Sequence, residues 1–354
     1  MFTRRALAAI RGYAGKHERG LGSRLTSALS MRWMPSPSLG FQWIVAKDQG
    51  RSTEYQLGST TNRSGGSALV FLGLSSKMMR LIQLMAPVPA LVVGALVMRH
   101  EGIGTAQWGL NLVVGGVALL VCALWKPRRE EPSRNPLPLA VLGLVLLAAT
   151  FLHAGFMGVH RWVQLGPLAL YAGAISLPMV INAAGELLTE SSSRAMSFVL
   201  LITTTAGILA AQPDAAQASG LAAAFVLLIL AFPGLMRDRA VVLGSVLVIG
   251  LVAVSWFRPD PLAPVPHVEG ILLMARTAGM PWFLAAILSL GLLPLPFFIG
   301  SAGPNVPTAR ALGVYIAGCV LVALVRNYPF PLLGFGVAPI IGYFVALRTV
   351  LGQF

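Results

Sequence analysis

Short polar motifs between long apolar segments carry most of the residues that could do chemistry. They are His-Arg-Trp at 160–162, Gln-Pro-Asp at 212–214 and His-Val-Glu at 267–269. Together they supply carboxylates, which can accept a proton, and a guanidinium, which can hold an anion. If the apolar segments cross a bilayer, all three motifs lie on one side of it. Ionisable groups that share one face of a membrane protein indicate a functional site.

The composition of the 354-residue chain predicts an integral membrane protein. Hydrophobic residues make up 56% and charged residues 11%, and the mean hydropathy is +0.76. Apolar segments of about 20 residues predict transmembrane helices, because a helix satisfies its backbone hydrogen bonds internally. We therefore predict an all-α, polytopic fold of about ten spans, at 81–98, 106–125, 137–154, 168–185, 195–211, 216–235, 240–257, 270–299, 311–326 and 332–349.

The distribution of basic residues predicts the orientation of the spans. Lys and Arg are frequent before the first span, between the second and third spans (126–134) and between the sixth and seventh (237–239). The positive-inside rule then places both termini in the cytoplasm and the three polar motifs on the outer face. This asymmetry, together with attraction to anionic lipid, accounts for the net charge of +14. Nucleic-acid binding is a weak alternative, because no folded basic domain carries the charge.

Residues 1–79 are predicted to be a separate segment. They are rich in Ser, Gly and Arg and contain no long apolar run. Such a segment has too little apolar area to offset its ordering entropy, so we expect a basic, mostly disordered cytoplasmic tail. Residues 80–354 form the predicted transmembrane domain.

The predicted outer face also carries Arg258 and four of the five histidines, including His267. Each motif has a simpler interpretation when it is taken alone. An Arg-Trp pair often anchors a helix at the membrane interface, and an Asp after a Pro often caps the next helix. The histidines lack the spacing and the supporting carboxylates of a metal site, so no metal and no other cofactor is predicted. A divalent cation is compatible with the sequence but is not indicated by it.

The order of the motifs resembles that of the SEDS family of bacterial membrane proteins, which includes FtsW, RodA and SpoVE. Residues 158–167 (Gly-Val-His-Arg-Trp-Val-Gln-Leu-Gly-Pro) are similar to the family's Arg-Trp-x-x-Leu-Gly-Pro signature, and 212–214 look like its Gln-Pro-Asp. Residues 264–271 are similar to its Pro-Glu-x-His-Thr-Asp-Phe-Ile segment, and 328–336 to its Leu-Pro-Phe-x-Ser-Tyr-Gly-Gly segment. The four matches follow the family's order, on the same side of a ten-span topology.

The resemblance implies a glycosyltransferase that polymerises lipid II into peptidoglycan at the outer face of the bacterial cytoplasmic membrane. Glu269 occupies the place of the family's essential carboxylate, and it would act as general base on the attacking sugar hydroxyl. Cationic side chains would steady the departing pyrophosphate, and the candidates are Arg161, Arg258 and His267. The predicted substrate-binding residues share the outer face, and they are Arg161, Trp162, Gln212, Asp214, Arg258 and His267.

The same resemblance implies the partners. They are a polyprenyl-pyrophosphate-linked saccharide such as lipid II, membrane lipid and a single-span transpeptidase. No nucleic acid is expected, because the topology accounts for the basic charge. The protein would then be a multi-pass protein of the bacterial cytoplasmic membrane that acts in cell division or cell shape.

The sequence departs from the family at several positions. Glu269 stands where the family has Asp, and its longer reach of about an ångström can cost ~10²-fold in rate. The family's Glu and Lys in the fourth helix have no counterpart at 171–177, and the outer loop before the eighth helix is reduced to 258–266. Two other function classes therefore stay open. One is a non-catalytic SEDS-like scaffold or lipid-carrier-binding protein, and the weaker one is a transporter or flippase, since the helices hold almost no charge besides Arg276.

Overall fold

The computed structural model of the protein describes residues 43–46, 55–58, 75–125, 135–166, 168–190, 194–299 and 305–351. The chain divides into two compact units, Met1–Gly66 and Ser67–Phe354. In the first unit, β1 (Trp43–Ala46) pairs antiparallel with β2 (Tyr55–Gly58). The rest of the predicted tail, up to residue 74, lies outside the described residues.

The described residues of the second unit form a helical bundle and a small hairpin, in which β3 (Trp162–Leu165) pairs antiparallel with β4 (Leu168–Tyr171). Its helices are α1 (Ser76–Met85), α2 (Val88–His100), α3 (Thr105–Leu124), α4 (Leu137–Ala148), α5 (Ala172–Glu190), α6 (Ala195–Ala211), α7 (Ala215–Ala231), α8 (Arg239–Phe257), α9 (Ile271–Ala278), α10 (Met280–Leu292), α11 (Val306–Val325) and α12 (Val337–Leu351). Short 3-10 turns follow three of them, at Ala149–Leu152, Pro233–Arg237 and Leu295–Phe297.

The helices have the length and composition of membrane spans. In the described part of the chain, six helical segments are long and apolar enough to cross a bilayer, and four shorter apolar helices accompany them. They match the predicted spans, so the prediction of an all-α, polytopic membrane protein is confirmed. Several bounds differ from the prediction by a few residues, and two of these differences have a clear structural cause. The fourth predicted span is α5, which begins at Ala172 because 168–171 form β4 and pair with β3. The tenth predicted span is α12, which begins at Val337 because 331–335 form turns.

The predicted eighth span is divided at Gly279. This residue has φ +132°, a conformation that favours glycine, and it separates α9 from α10. The Trp282 ring, at the start of α10, lies 6.4 Å from the ring of His100, which ends α2. Beyond the other end of α10, the Pro296 carbonyl accepts from Gln83 Nε2 in α1. Thus α10 crosses the bundle beside α1 and α2, while α9 lies at the end where α2 stops.

The centre of the bundle is α5, which packs against α4, α6, α7, α11 and α12. In the span of α5, 78% of the residues are buried, whereas the values for α3 and α8 are 17% and 22%. The helices α3 and α8 therefore lie at the periphery of the bundle. Lipid tails are as apolar as the side chains of such helices, so helix contacts in a bilayer depend on close packing of small residues. One such contact joins α7 to α11, where a Cβ on Gly318 would lie 3.3 Å from the Gly220 Cα.

The two ends of the bundle differ in polarity. At one end, the β3–β4 hairpin meets the segments 212–214, 258–270 and 326–336, and we call this end the loop face. At the opposite end, the Arg80 guanidinium donates to the carbonyls of Ala123 (3.0 Å) and Trp125 (2.6 Å) and so closes the C-terminus of α3. The basic stretch 126–134 follows Trp125 directly in the sequence. This basic stretch therefore follows a helix that ends on the side of the bundle opposite the loop face.

Candidate functional site

Segments that are distant in sequence are joined at the loop face. The Phe335 N–H donates to the His267 carbonyl at 2.8 Å. The Arg161 guanidinium donates to Asp260 Oδ2 at 2.7 Å and to the Pro213 carbonyl. The loops after the third, fifth, seventh and ninth spans therefore meet at one end of the bundle, as the alternation of the spans requires.

Arg161 connects most of these loops. It directly precedes β3, and only 4% of the residue is exposed. Besides its bonds to Asp260 and Pro213, its Nη2 lies 3.5 Å from the Tyr328 hydroxyl. The guanidinium also lies over the Tyr328 ring, 4.9 Å from the ring centroid. A planar guanidinium is suited to this position, because it combines several donors with a face that stacks on an aromatic ring.

The charge of Arg161 is stabilised by its surroundings. Burial by itself lowers the pKa of Arg161, because it removes water from the charged form. The Asp214 carboxylate opposes this effect, with further contributions from two tyrosines and Asp260, and the net shift of the Arg161 pKa is upward. Arg161 is therefore a permanent cation at this end of the bundle.

Asp214 is a buried carboxylate whose oxygens are held by donors of the protein. It caps α7, where its Oδ1 accepts from the Gln217 N–H at 3.2 Å. The Tyr171 hydroxyl lies 2.9 and 2.7 Å from its two oxygens. Burial raises the pKa of Asp214, although Arg161 and the hydrogen bond from Tyr171 oppose the rise. Asp214 thus organises the residues around it at the loop face.

A cleft of about 300 Å³ opens beside Arg161. Its apolar lining comes from the segment 262–264 and Pro329, and its other lining residues are Arg161, Trp162, Tyr171, Asp260, Glu269 and Asn327. Two carboxylates and one guanidinium therefore share a small space. Across the described ranges of the chain, no group of three or more His, Cys, Asp or Glu side chains is arranged to hold a metal ion.

Glu269 lies in the turn that precedes α9. Its Oε2 accepts from the Val265 N–H at 2.8 Å, and this bond orients the carboxylate. Burial raises the pKa of Glu269, while hydrogen bonds from the backbone and the charge of Arg161 oppose the rise. A carboxylate with a raised pKa holds a proton more readily than an exposed one, and this property suits a general base.

The structure brings three of the predicted site residues, Arg161, Trp162 and Glu269, into the lining of the cleft. Gln212 lies elsewhere. Its side chain is fully buried, and its Nε2 donates to the Leu147 carbonyl (3.0 Å) and to Thr150 Oγ1 (2.8 Å). Gln212 therefore ties the end of α6 to the end of α4.

Arg258 and His267 lie on the loop face but not in the lining of the cleft. Arg258 Nη1 donates to the carbonyls of Ala210 (3.1 Å) and Ala211 (2.9 Å), which closes the C-terminus of α6. The His267 ring packs against Phe335, with centroids 5.8 Å apart. Burial lowers the pKa of His267, so its imidazole is neutral at neutral pH.

Three residues of the site were not assigned from the sequence: Tyr171, Asp260 and Tyr328. Asp260 ends an Arg-Pro-Asp motif, and the same Pro-Asp pair occurs in the Gln-Pro-Asp motif at 212–214. This similarity was the feature of the sequence that could have indicated Asp260. The Tyr328 hydroxyl accepts from the Ala215 N–H at 3.0 Å, and burial raises its pKa to about 12. Tyr171 has no sequence signal, because its position depends on the pairing of β4 with β3.

A second cavity, of about 500 Å³, lies between α5, α7, α11 and α12, and we call it the inner cavity. Its lining is mostly apolar, and the polar groups include Gln217 and the hydroxyls of Tyr171, Tyr315 and Tyr328. Tyr171 and Pro329 line both the cleft and the inner cavity. The polar cleft and the mostly apolar cavity therefore adjoin and offer different surroundings to a polar and to an apolar group.

Comparison with known proteins identifies the fold. No protein-family model and no curated protein matches the chain. The solved structures that are similar to it include two of the rod shape determining protein RodA of Thermus thermophilus, one of them a mutant. Each is 17% identical to this chain with a TM-score of 0.56, and the match covers 76% of this chain and 95% (mutant) or 94% of RodA. The chain has the fold of RodA. The resemblance to the SEDS family is thus confirmed at the level of the fold, and nearly the whole RodA fold is present.

Proposed function

We propose that the protein is a SEDS-type enzyme that transfers a saccharide from a polyprenyl-pyrophosphate carrier such as lipid II. The observation that supports this proposal most directly is the cleft beside the apolar inner cavity. The Glu269 carboxylate and the Arg161 guanidinium both line this cleft. The RodA fold supports the proposal, and the basic residues at the opposite end support an outer location of the cleft. The reaction would take place at the outer face of the bacterial cytoplasmic membrane.

In the proposed reaction, a sugar hydroxyl of the acceptor attacks C1 of the donor sugar. The bond between C1 and the pyrophosphate oxygen breaks, and the pyrophosphate leaves with the bonding electron pair. Glu269 takes the hydroxyl proton as the new glycosidic bond forms. A positioned base of this kind contributes roughly 10²–10⁴-fold to the rate. The bond from the Val265 N–H to Oε2 supports this role, because it holds the carboxylate in one orientation.

Arg161 is the cation for the leaving pyrophosphate in this proposal. It lines the cleft, it is charged at every relevant pH, and its planar donors match phosphate oxygens. The other two candidates are less suited. One nitrogen of Arg258 is engaged at the end of α6, and the neutral His267 brings no positive charge.

The second candidate function is a non-catalytic scaffold that binds a lipid carrier. The observation that favours it is the ion pair between Arg161 and Asp260, because the guanidinium in the cleft already has a carboxylate partner. Such a protein would recognise the pyrophosphate and the polyprenyl tail without turning the substrate over.

Lipid II polymerisation separates the two functions. The full-length protein is purified in detergent and incubated with fluorescent lipid II, alone and together with a candidate single-span transpeptidase. Glycan strands resolved by gel electrophoresis are the result expected for the enzyme. Binding of lipid II without any strand supports the scaffold, and the absence of both binding and product contradicts both functions.

A further inference from the structure

The ion pair between Arg161 and Asp260 joins two side chains that the protein holds to different degrees. Arg161 is almost fully buried and has further contacts with the Pro213 carbonyl and the Tyr328 ring. The Asp260 side chain is 21% exposed and lies in a stretch without helix or strand. Its other hydrogen bond within the described residues is long, since Oδ1 accepts from the Leu262 N–H at 3.3 Å. Asp260 is therefore the partner that can move away.

The other carboxylates near Arg161 are held more firmly. Asp214 is fully buried and is bonded to both Tyr171 and Gln217. The Glu269 carboxylate is fixed by the Val265 N–H at 2.8 Å. A negatively charged ligand that enters the cleft thus meets the two carboxylates of its lining, Asp260 and Glu269. Of these, Asp260 lies within ion-pair distance of Arg161 and is the less firmly held.

The guanidinium of Arg161 has unused donor capacity. All of its hydrogen bonds within the described residues come from Nη2, and its buried Nε has no hydrogen-bond partner there. A guanidinium carries five N–H donors, and a buried donor without a partner is costly. A carboxylate offers two oxygens, whereas a pyrophosphate offers more oxygens and more negative charge. The site is therefore better matched to a pyrophosphate than to the carboxylate that occupies it.

We propose that Asp260 is a replaceable counter-ion of Arg161. Asp260 pairs with Arg161 when no ligand is bound, and it moves away when the pyrophosphate of an incoming lipid carrier binds Arg161. This inference rests on the proposed function, because it specifies how the same cleft takes its ligand. The exchange avoids leaving the buried guanidinium without a partner at any stage, a state that is strongly unfavourable. It also makes the site selective, because a ligand must compete with a carboxylate to enter.

The competition predicts an order of ligand affinity. A farnesyl diphosphate, which carries a short polyprenyl tail and two phosphates, displaces Asp260 more effectively than farnesyl monophosphate does. Farnesol, which carries no charge, does not compete for Arg161. Because the three probes share one tail, differences among them report on the head group alone.

The test is the binding of farnesyl diphosphate to the purified full-length protein, measured by titration calorimetry. In Asp260→Asn the competing charge is absent, so we expect the dissociation constant to fall about tenfold, which corresponds to the loss of a modest competing interaction. Asp260→Glu keeps the charge and is expected to bind like the wild type. Glu101→Gln removes a carboxylate of the loop face outside the cleft and serves as the matched control.

The outcomes are distinct. Weaker or unchanged binding by a folded Asp260→Asn protein overturns the proposal, because Asp260 would then only position Arg161 or play no part. The absence of binding by both wild type and Asp260→Asn overturns it as well. Tighter binding by Asp260→Asn supports the exchange even where the wild type forms no glycan strand, a result that would reject only the enzymatic function.

A second readout uses the wild-type protein and does not depend on the folding of a variant. Hydrogen–deuterium exchange is measured on peptides that cover 258–264, with and without farnesyl diphosphate. Release of Asp260 frees the Leu262 N–H, so exchange in this segment is expected to rise when the ligand binds. Exchange that stays constant or falls while the ligand is bound contradicts the release of Asp260.

Discussion

The Tyr171 hydroxyl lies 2.7 Å from Asp214 Oδ2, and this bond ties the end of β4 to the start of α7. The same tyrosine lines both the cleft and the inner cavity. One hydrogen bond therefore satisfies a fully buried carboxylate and fixes part of the wall between the two spaces. Stability and ligand binding are consequently coupled at this point.

Replacing Tyr171 by Phe removes a donor and leaves the Asp214 carboxylate with fewer partners. We expect a destabilisation of about 1–3 kcal/mol, because a buried acceptor that loses its bond keeps the cost of desolvation. The measurement is the thermal midpoint in detergent, followed by tryptophan fluorescence. The control is Gln83→Met, which removes bonds to the Pro296 and Ile299 carbonyls and lines neither the cleft nor the inner cavity. Both variants should melt earlier, but only Tyr171→Phe should weaken the binding of farnesyl diphosphate. Equal effects on binding would contradict the assigned role of Tyr171.

The pH dependence of stability reports on Asp214. Burial raises the pKa of Asp214 in the folded state above the ordinary aspartate value of 3.8, which applies to the unfolded state. At a pH between the unfolded-state and the folded-state pKa, the folded protein holds a proton that the unfolded chain has released. The free energy of unfolding then falls as the pH rises through that window. Asp214→Asn keeps an acceptor for the Gln217 N–H and removes the titration.

We therefore expect the thermal midpoint of Asp214→Asn to decrease less than that of the wild type as the pH rises above the ordinary aspartate value of 3.8. Part of the slope should remain, because burial raises the pKa of Glu269 as well. Identical slopes in the two proteins would show that Asp214 titrates as an exposed carboxyl does.

The orientation of the loop face can be tested by cysteine labelling. The two native cysteines, Cys122 and Cys319, are buried and would be replaced by Ala. Leu165 at the loop face and Met236 at the opposite end are 57% and 54% exposed, so each accepts a single new cysteine. A membrane-impermeant maleimide added to intact spheroplasts should label Leu165→Cys, and it should label Met236→Cys only after permeabilisation. The reverse pattern would place the loop face in the cytoplasm.

The division of the eighth span predicts opposite effects for two glycine substitutions. Gly279 has φ +132°, so Gly279→Ala introduces strain of about 1–3 kcal/mol and should lower the thermal midpoint. Gly291 lies inside α10, and a Cβ there would meet nothing within 4 Å, so Gly291→Ala should raise it slightly. A stabilised Gly279→Ala protein would mean that α9 and α10 form one continuous helix.

Much of the architecture was predictable from the sequence. Segment length and hydropathy predict the spans, and their alternation places residues as distant as Arg161 and Glu269 at one end of the bundle. Motif order added the resemblance to the SEDS family, which the RodA fold confirms. These features depend on patterns of hydropathy and motif order that extend along the whole chain, and such patterns can be recognised in the sequence alone.

The contacts of individual side chains were not predictable in the same way. The amide side chain of Gln212 is suited to binding a polar ligand. Because Gln212 lies at the end of α6, however, this side chain donates to the Leu147 carbonyl. The choice of Asp260 as the ion-pair partner of Arg161 depends on the path of the loop after α8, which no periodic pattern specifies. The break at Gly279 is a local backbone conformation, and a glycine within an apolar run does not by itself indicate one.

The central claim is that the Glu269 carboxylate is the base for saccharide transfer, and its most direct test is the initial rate of lipid II polymerisation by Glu269→Gln. Glu101→Gln is the control, because Glu101 lies at the end of α2 on the same face, 3.2 Å from His100 Nδ1 and away from the cleft. We predict a loss of roughly 10²–10⁴-fold for Glu269→Gln with the thermal midpoint preserved, retained activity for Glu269→Asp, and no change for the control. A wild-type rate for Glu269→Gln would contradict the account.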